Sequence, residues 1–244
     1  MKMAGLCWIS VLLAVSLSIG DCATMDLDYV TIIAKLIEDT YYYNGQQFSV
    51  AVNIPKVQKT TEELEKVILP VDWDVATPFL KAGKVYQGSN AVVAVPQERT
   101  TKFGNIYNEH AEKQVMNNLG DLANTHEGDI LVLYSWMSPC GKCTEEGGDF
   151  HILDKIKELK NKGKSFALVF HTVHAWIMYN DGMKKDIPEA DIKNTFRNLR
   201  KVIVDDNIFR CYYPNGGFRC VKCFQTVGAS NQVTLVAACV KNEE

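Results

Sequence analysis

The chain of 244 residues contains no N-x-Ser/Thr sequon, no internal repeat and no low-complexity tract. The missing sequon excludes N-linked glycosylation. No Pro/Gly/Ser-rich linker divides the chain, which points to one domain. Apart from one stretch near the start, no apolar run approaches the ~20 residues that a membrane span needs. A basic excess is missing too, because 26 Lys and Arg face 29 Asp and Glu, for a formal charge of −3. There is thus no general attraction for phosphate, and any nucleic-acid contact has to come from a local basic surface. What remains is ordinary globular composition, 47% hydrophobic and 23% charged, which excludes disorder, collagen-like repeats and coiled coil. The eight cysteines are too few for a disulfide mini-scaffold, so each needs its own explanation.

The exceptional stretch follows Lys2: an apolar run from Leu6 to Ile19 that ends in small residues. A basic start, a short apolar core and a small-residue exit predict a secretory signal peptide over 1–20, with cleavage after Gly20. Cleavage after Ala23 and a buried first helix are the alternatives. Export of a single domain over 21–244 is the expectation, with its core at about 48–204 and a disulfide-bearing β segment at about 207–240. Once the signal is removed, no membrane association is expected. Cys22 survives only if cleavage precedes it, and it has no obvious mate.

Helical spacing of Leu27, Val30, Ile33 and Ile37 predicts a helix over 25–38. Further helices are expected at 60–69, 108–119, within 140–162, and at 188–201. Strands are expected at 48–54, 90–95, 130–136 and 166–173, while 202–204 fits either a helix end or a strand start. Strand and helix alternate through the middle of the chain, the pattern of α/β packing around a parallel sheet.

Two short motifs sit at the joints of that pattern. His110-Ala111-Glu112 opens one predicted helix, and Pro139-Cys140-Gly141-Lys142-Cys143 follows a buried strand. One imidazole and two thiolates suit Zn2+, which favours nitrogen and sulfur ligands in tetrahedral geometry. Three protein ligands leave the fourth position open, the catalytic arrangement. Cysteines three apart are expected in the first turn of the following helix, where the positive end of its dipole favours thiolate. Glu112 is the candidate proton shuttle. His126, His151, His171 and His174 lack ligand spacing and read as structural.

The C-terminal Cys211, Cys220, Cys223 and Cys239 allow two disulfides or a second zinc site. Asn215-Gly216 is a strong hairpin-turn signal, and counting outward from it sets Cys211 opposite Cys220. Cys223 then remains for Cys239, placed in a predicted strand over 233–240. A four-cysteine zinc knuckle is the competing reading. Lysines at 155, 157, 160, 162 and 164 read as a solvated helix face rather than a phosphate-binding stripe.

H-x-E followed by P-C-x-x-C resembles the signature of zinc-dependent deaminases. Ser135-Trp136-Met137-Ser138-Pro139-Cys140 is similar to the S-W-S-P-C of the AID/APOBEC branch, and the expected export points to its secreted relatives. The resemblance implies a cytidine-deaminase-like α/β fold, with a central mixed five-stranded sheet flanked by helices and a C-terminal β extension. It implies zinc on His110, Cys140 and Cys143, Glu112 as general acid/base, and deamination of cytosine in single-stranded DNA or RNA. A free-nucleoside deaminase and a non-catalytic secreted binding protein are the rivals. Met137 is one residue more than the branch carries between its tryptophan and serine, which puts Trp136 as a floor under the base in doubt. By the same resemblance, 171–179 corresponds to the loop that reads flanking bases, with Trp176 and Tyr179 as candidates to stack on them, although Trp176 and Ile177 also suit a core-covering role. Asn105 and Asn108, just before His110, are candidates for a ribose hydroxyl or ordinary loop residues.

Overall fold

Two uninterrupted apolar runs lie at the centre of the molecule because strands buried on both faces need no polar alternation. They are β6 (Ile130–Met137) and β7 (Ser165–Thr172), paired in parallel with Leu131 opposite Phe166 and Leu133 opposite Leu168. The computed structural model describes residues 25–41, 46–56, 60–69, 73–100, 102–104, 106–124, 126, 128–178, 182–203, 207–227 and 232–242. The expected signal peptide and Cys22 lie outside the described residues.

β1 (Ser49–Ile54) pairs antiparallel with β6, and β3 (Ala91–Ala94) pairs antiparallel with β1. β10 (Ile208–Tyr212) joins the other side, parallel to β7. These five strands form the expected mixed sheet, but it is wider than five. β2 (Tyr86–Gln87) and β11 (Arg219–Lys222) add to its edges, giving the order β11-β10-β7-β6-β1-β3-β2. The extra width arises because β11 returns from the Asn215-Gly216 turn and pairs with β10. Both turn residues have positive φ, 49° and 85°, as a two-residue hairpin turn requires.

Alternation along β6 sorts the core into two layers. Val132 and Tyr134 face α1 (Leu27–Tyr41), α2 (Thr61–Ile68) and α3 (Trp73–Lys81). Leu131 and Leu133 face α4 (Ala111–Asn117), α5 (Leu153–Asn161) and α6 (Glu189–Arg200). Helix α2 is polar on most sides and starts with a capping box: Glu63 N–H donates to Thr60 Oγ1, and Thr60 N–H donates to Glu63 Oε2. Thr60→Ala is expected to cost about 1 kcal/mol, read as a lower denaturant midpoint at unchanged slope.

One open choice is decided and one expectation shifts. Val202 and Ile203 end α6 as a buried turn, and the next strand starts only at Ile208, with 204 outside the described residues. The predicted strand over 233–240 is shorter: β13 (Gln232–Leu235), paired with β12 (Phe224–Val227), gives way to a 3₁₀ turn at Ala237–Cys239. That turn carries Cys239 back to Cys223, and the structure has the disulfides Cys211–Cys220 and Cys223–Cys239. Bonded in pairs, these sulfurs are not free thiolates for a zinc knuckle. Some elements were not anticipated: the short, largely exposed hairpins β4 (Gln97–Thr100)–β5 (Ile106–Glu109) and β8 (Trp176–Met178)–β9 (Lys184–Asp186), and α3, whose Pro78 argues against a helix although Ala76 and Leu80 bury one side of it.

The C-terminal segment braces the end of β7. Asn242 exchanges two 2.8 Å hydrogen bonds with the backbone of Val173. Buried Arg210 donates to the carbonyls of His171, Ala238 and Lys241 and to Asn242 Oδ1. Four acceptors on one guanidinium tie the tail, β10 and the exit of β7 together.

Candidate metal centre and pocket

Helix α4 starts at Ala111 rather than near residue 108, because 106–109 is taken by β5. His110 is the N-cap, extended at φ −70° and ψ 148°, so its ring stands at the mouth of the helix. Buried Gln114 fixes that start by donating to Val95 O at 2.8 Å and Glu109 O at 3.0 Å. Glu112, one residue inside the helix, is 1% exposed.

The cysteines arrive from the sheet. Ser138 N–H donates to Thr172 O at 2.8 Å and continues the β6–β7 ladder past the strand end. Cys143 then lies in a 3₁₀ turn, Lys142–Thr144, with Cys140 just ahead of it, so the pair is not in the first turn of a long helix. Gly147, at φ 77°, and Gly148 interrupt the backbone before α5 begins at Leu153. The expected helix dipole is therefore absent, and a local contact does its work: Cys143 N–H points at Cys140 Sγ, 3.4 Å away.

The two sulfurs lie 3.2 Å apart, and Cys143 Sγ lies 3.2 Å from His110 Nδ1. All three candidate ligand atoms fall within 4.8 Å of one another, so they can converge on one metal ion. Glu112 Oε1 is 3.3 Å from Cys143 Sγ and 3.7 Å from His110 Nδ1. Glu112 Oε2 is buried with no partner among the described residues. A neutral core would leave such an oxygen costly, whereas a metal-associated water or a substrate would satisfy it. The donor set and the orphaned oxygen both fit a metal with one open position.

The electrostatics agree. The hydrogen bond from Cys143, helped by His110, lowers the Cys140 thiol to about 4. The contacts of His110 with Cys140 first and Glu112 second raise its imidazole to about 10. The Cys143 thiol is pushed up by its bond to Cys140 and by burial. Burial works to raise the carboxyl of Glu112, but the hydrogen bond and charge of His110 outweigh it and hold it below the usual range. The metal-free cluster thus keeps a thiolate, an imidazolium and a carboxylate in contact.

A cavity of about 530 Å³ opens on His110 and Cys140. Its far wall is a polar stripe of α6, formed by Asp191, Asn194, Thr195 and Asn198, and Ile177 and Ile187 close one side. The four α6 residues were not legible as site residues, because on the sequence α6 reads as an amphipathic helix with an ordinary polar face. His174, read as structural, also lines the cavity, and its Nδ1 is buried with no partner among the described residues. Burial pushes its pKa down, and its backbone N–H is held by Ser138 Oγ at 3.0 Å. Its signal was its position just past β7, at the same sheet end as the cysteines.

The candidate substrate contacts divide. Trp136 lies on the opposite face of the sheet, stacked on His171 at 4.1 Å with ring planes 6° apart, and does not line the cavity. Strand alternation decides this: His171 and Trp136 share the α1 face with Tyr134, and the extra Met137 intervenes before Ser138. Asn108 is exposed on β5 opposite Glu98, also outside the cavity wall. Trp176 sits under Lys184 Nζ, 4.6 Å from the ring centroid, and lines a neighbouring cavity of about 380 Å³. Asn105 and Tyr179 lie outside the described residues. Lys155, Lys157 and Lys162 pair with acidic neighbours on the surface of the α5 region, a solvated face.

Among the described residues, no helix is long and apolar enough to cross a membrane. No curated protein and no solved structure matches the chain. A family-level match covers residues 30–236, from α1 to the end of β13, and so takes in the whole sheet, the His/Cys/Cys cluster and Glu112; the chain belongs to the family described as Secreted Novel AID/APOBEC-like Deaminase 1.

Proposed function

We propose that the protein is a secreted, zinc-dependent hydrolase that converts cytosine to uracil. The observation that carries this is the buried carboxylate of Glu112, packed against His110 and Cys143 with one oxygen unpartnered. His110, Cys140 and Cys143 would hold the ion. When bound, zinc supplies Lewis acidity and makes water nucleophilic near neutral pH. Glu112 takes a proton from the water that adds at C4 of the base, passes one to N3, and protonates the departing amine, which leaves as ammonia. Its burial excludes bulk water from competing for those protons. The cavity beside His174 and Ile177 receives the base, which has to be unstacked to enter, so single-stranded DNA or RNA is the preferred substrate.

Away from the metal centre, Asp191 and Glu145 line the cavity against the single lysine Lys142. Two carboxylates there favour an uncharged substrate over phosphate, which supports free (deoxy)cytidine as the second reading. Export is supported by the family's description, by the two disulfides and by the Leu6–Ile19 run.

Zinc-loaded protein incubated with single-stranded DNA, single-stranded RNA and free cytidine should produce uracil from one of the strands. Uridine from cytidine alone would transfer the assignment to the nucleoside reading. Silence on all three, with zinc bound, would leave a non-catalytic binding protein.

A further inference from the structure

Cys140 and Cys143 are the free cysteines among the described residues, in a chain whose four other described cysteines are all oxidised to disulfides. Whatever oxidant closes those bonds reaches this molecule. The two thiols are not protected by distance: their sulfurs are 3.2 Å apart, and a disulfide needs about 2.05 Å. The remaining gap is about 1 Å, between residues three apart whose backbones are already joined by the 3.0 Å hydrogen bond from Cys143 N–H to Cys140 O. Accessibility is unequal, since Cys140 is 8% exposed and lines the cavity while Cys143 is 1% exposed behind it. Cys143 N–H also faces Cys140 Sγ, which favours Cys140 as the sulfur that reacts first.

We propose that Cys140 and Cys143 are a modification site: in the metal-free protein they close to a third disulfide, so that disulfide and metal are alternative states of one centre. The thiolate of Cys140 attacks a disulfide oxidant of the oxidised-glutathione class, breaking its S–S bond and releasing one thiolate. Cys143 then attacks Cys140 Sγ in the mixed disulfide, forms the Cys140–Cys143 bond and releases the second. Two electrons pass from the cysteine pair to the oxidant, and the thiol protons go to the two released thiols. Closure removes two of the three ligands, leaving His110 alone. The disulfide stands on the geometry of the turn; only its exclusion by metal rests on the metal reading above.

The test uses the full mature protein without reductant, either stripped of metal by a chelator or loaded with zinc, and then exposed to oxidised glutathione. Free-thiol titration and peptide mapping give the readout. The metal-free protein should lose both thiols and yield a Cys140–Cys143 cross-link, while the zinc-loaded protein keeps both. Reduction should restore both thiols and zinc uptake. In Cys143→Ser, a glutathione adduct should accumulate on Cys140, with the Cys211–Cys220 and Cys223–Cys239 bonds intact as the check on folding. Two free thiols surviving in the metal-free wild type would overturn the proposal, as would equal closure with stoichiometric zinc bound. Closure in a protein that takes up no zinc would support the disulfide and overturn the metal centre instead.

Discussion

Glu112→Gln is expected to lower turnover about 10²–10⁴-fold while leaving metal content and fold unchanged. Gln has the size of Glu, and the site is 1% exposed, so the substitution neither opens a cavity nor strains α4. What it removes is the ability to accept a proton and return it. It also removes the negative charge that His110 faces at 3.7 Å, so the imidazole loses one of its two main stabilising partners. The measurement is single-turnover product formation beside metal analysis of the same sample. Comparable turnover in wild type and Glu112→Gln would discard the proton-shuttle role and keep the metal centre. Loss of metal in Glu112→Gln would mean that the carboxylate is itself a ligand.

His110→Ala is expected to reduce bound metal from about one ion per chain to near none, and activity with it. Two cysteines in one short turn cannot close a three-point site, and no other described histidine belongs to the cluster. Cys140→Ser should act alike. Metal uptake should also strengthen as pH rises. In the metal-free protein His110 keeps its proton up to about 10 and the Cys143 thiol is raised above its ordinary value, so both must give up protons when a metal binds. Acidification therefore opposes binding and alkalinisation favours it, which competition with a colorimetric chelator across a pH series would read. Stoichiometric metal retained by both His110→Ala and Cys140→Ser would show that the ligands lie elsewhere.

Much of the scaffold was legible because burial imposes pattern. The apolar runs of β6 and β7 could be nothing but interior, the 3.6-residue spacing of Val30, Ile33 and Ile37 marked α1, and Asn215-Gly216 set the register that brings Cys211 to Cys220. The largely exposed hairpins β4–β5 and β8–β9 left no trace, since exposed strands need no periodicity, and β5 displaced the start of α4.

The sequence by itself determined which chemical groups form the centre. One imidazole, two thiols and a carboxylate sit in two short motifs, a set of groups suited to holding a metal ion and moving a proton. Only the tertiary structure decided what surrounds that centre. The C-x-x-C spacing is the same in a helix and beside a 3₁₀ turn; here the turn stops at the extended Glu145, and Gly147 and Gly148 follow before α5. Trp136 and His174 are both aromatic residues at strand ends; which one reaches the cavity depends on strand alternation and on Met137. The polar wall from Asp191 to Asn198 comes from a helix some fifty residues beyond Cys140, so no local pattern could announce it. Motifs report groups that act on one atom, whereas a pocket wall is assembled from faces of distant elements, and those faces meet only when the core packs.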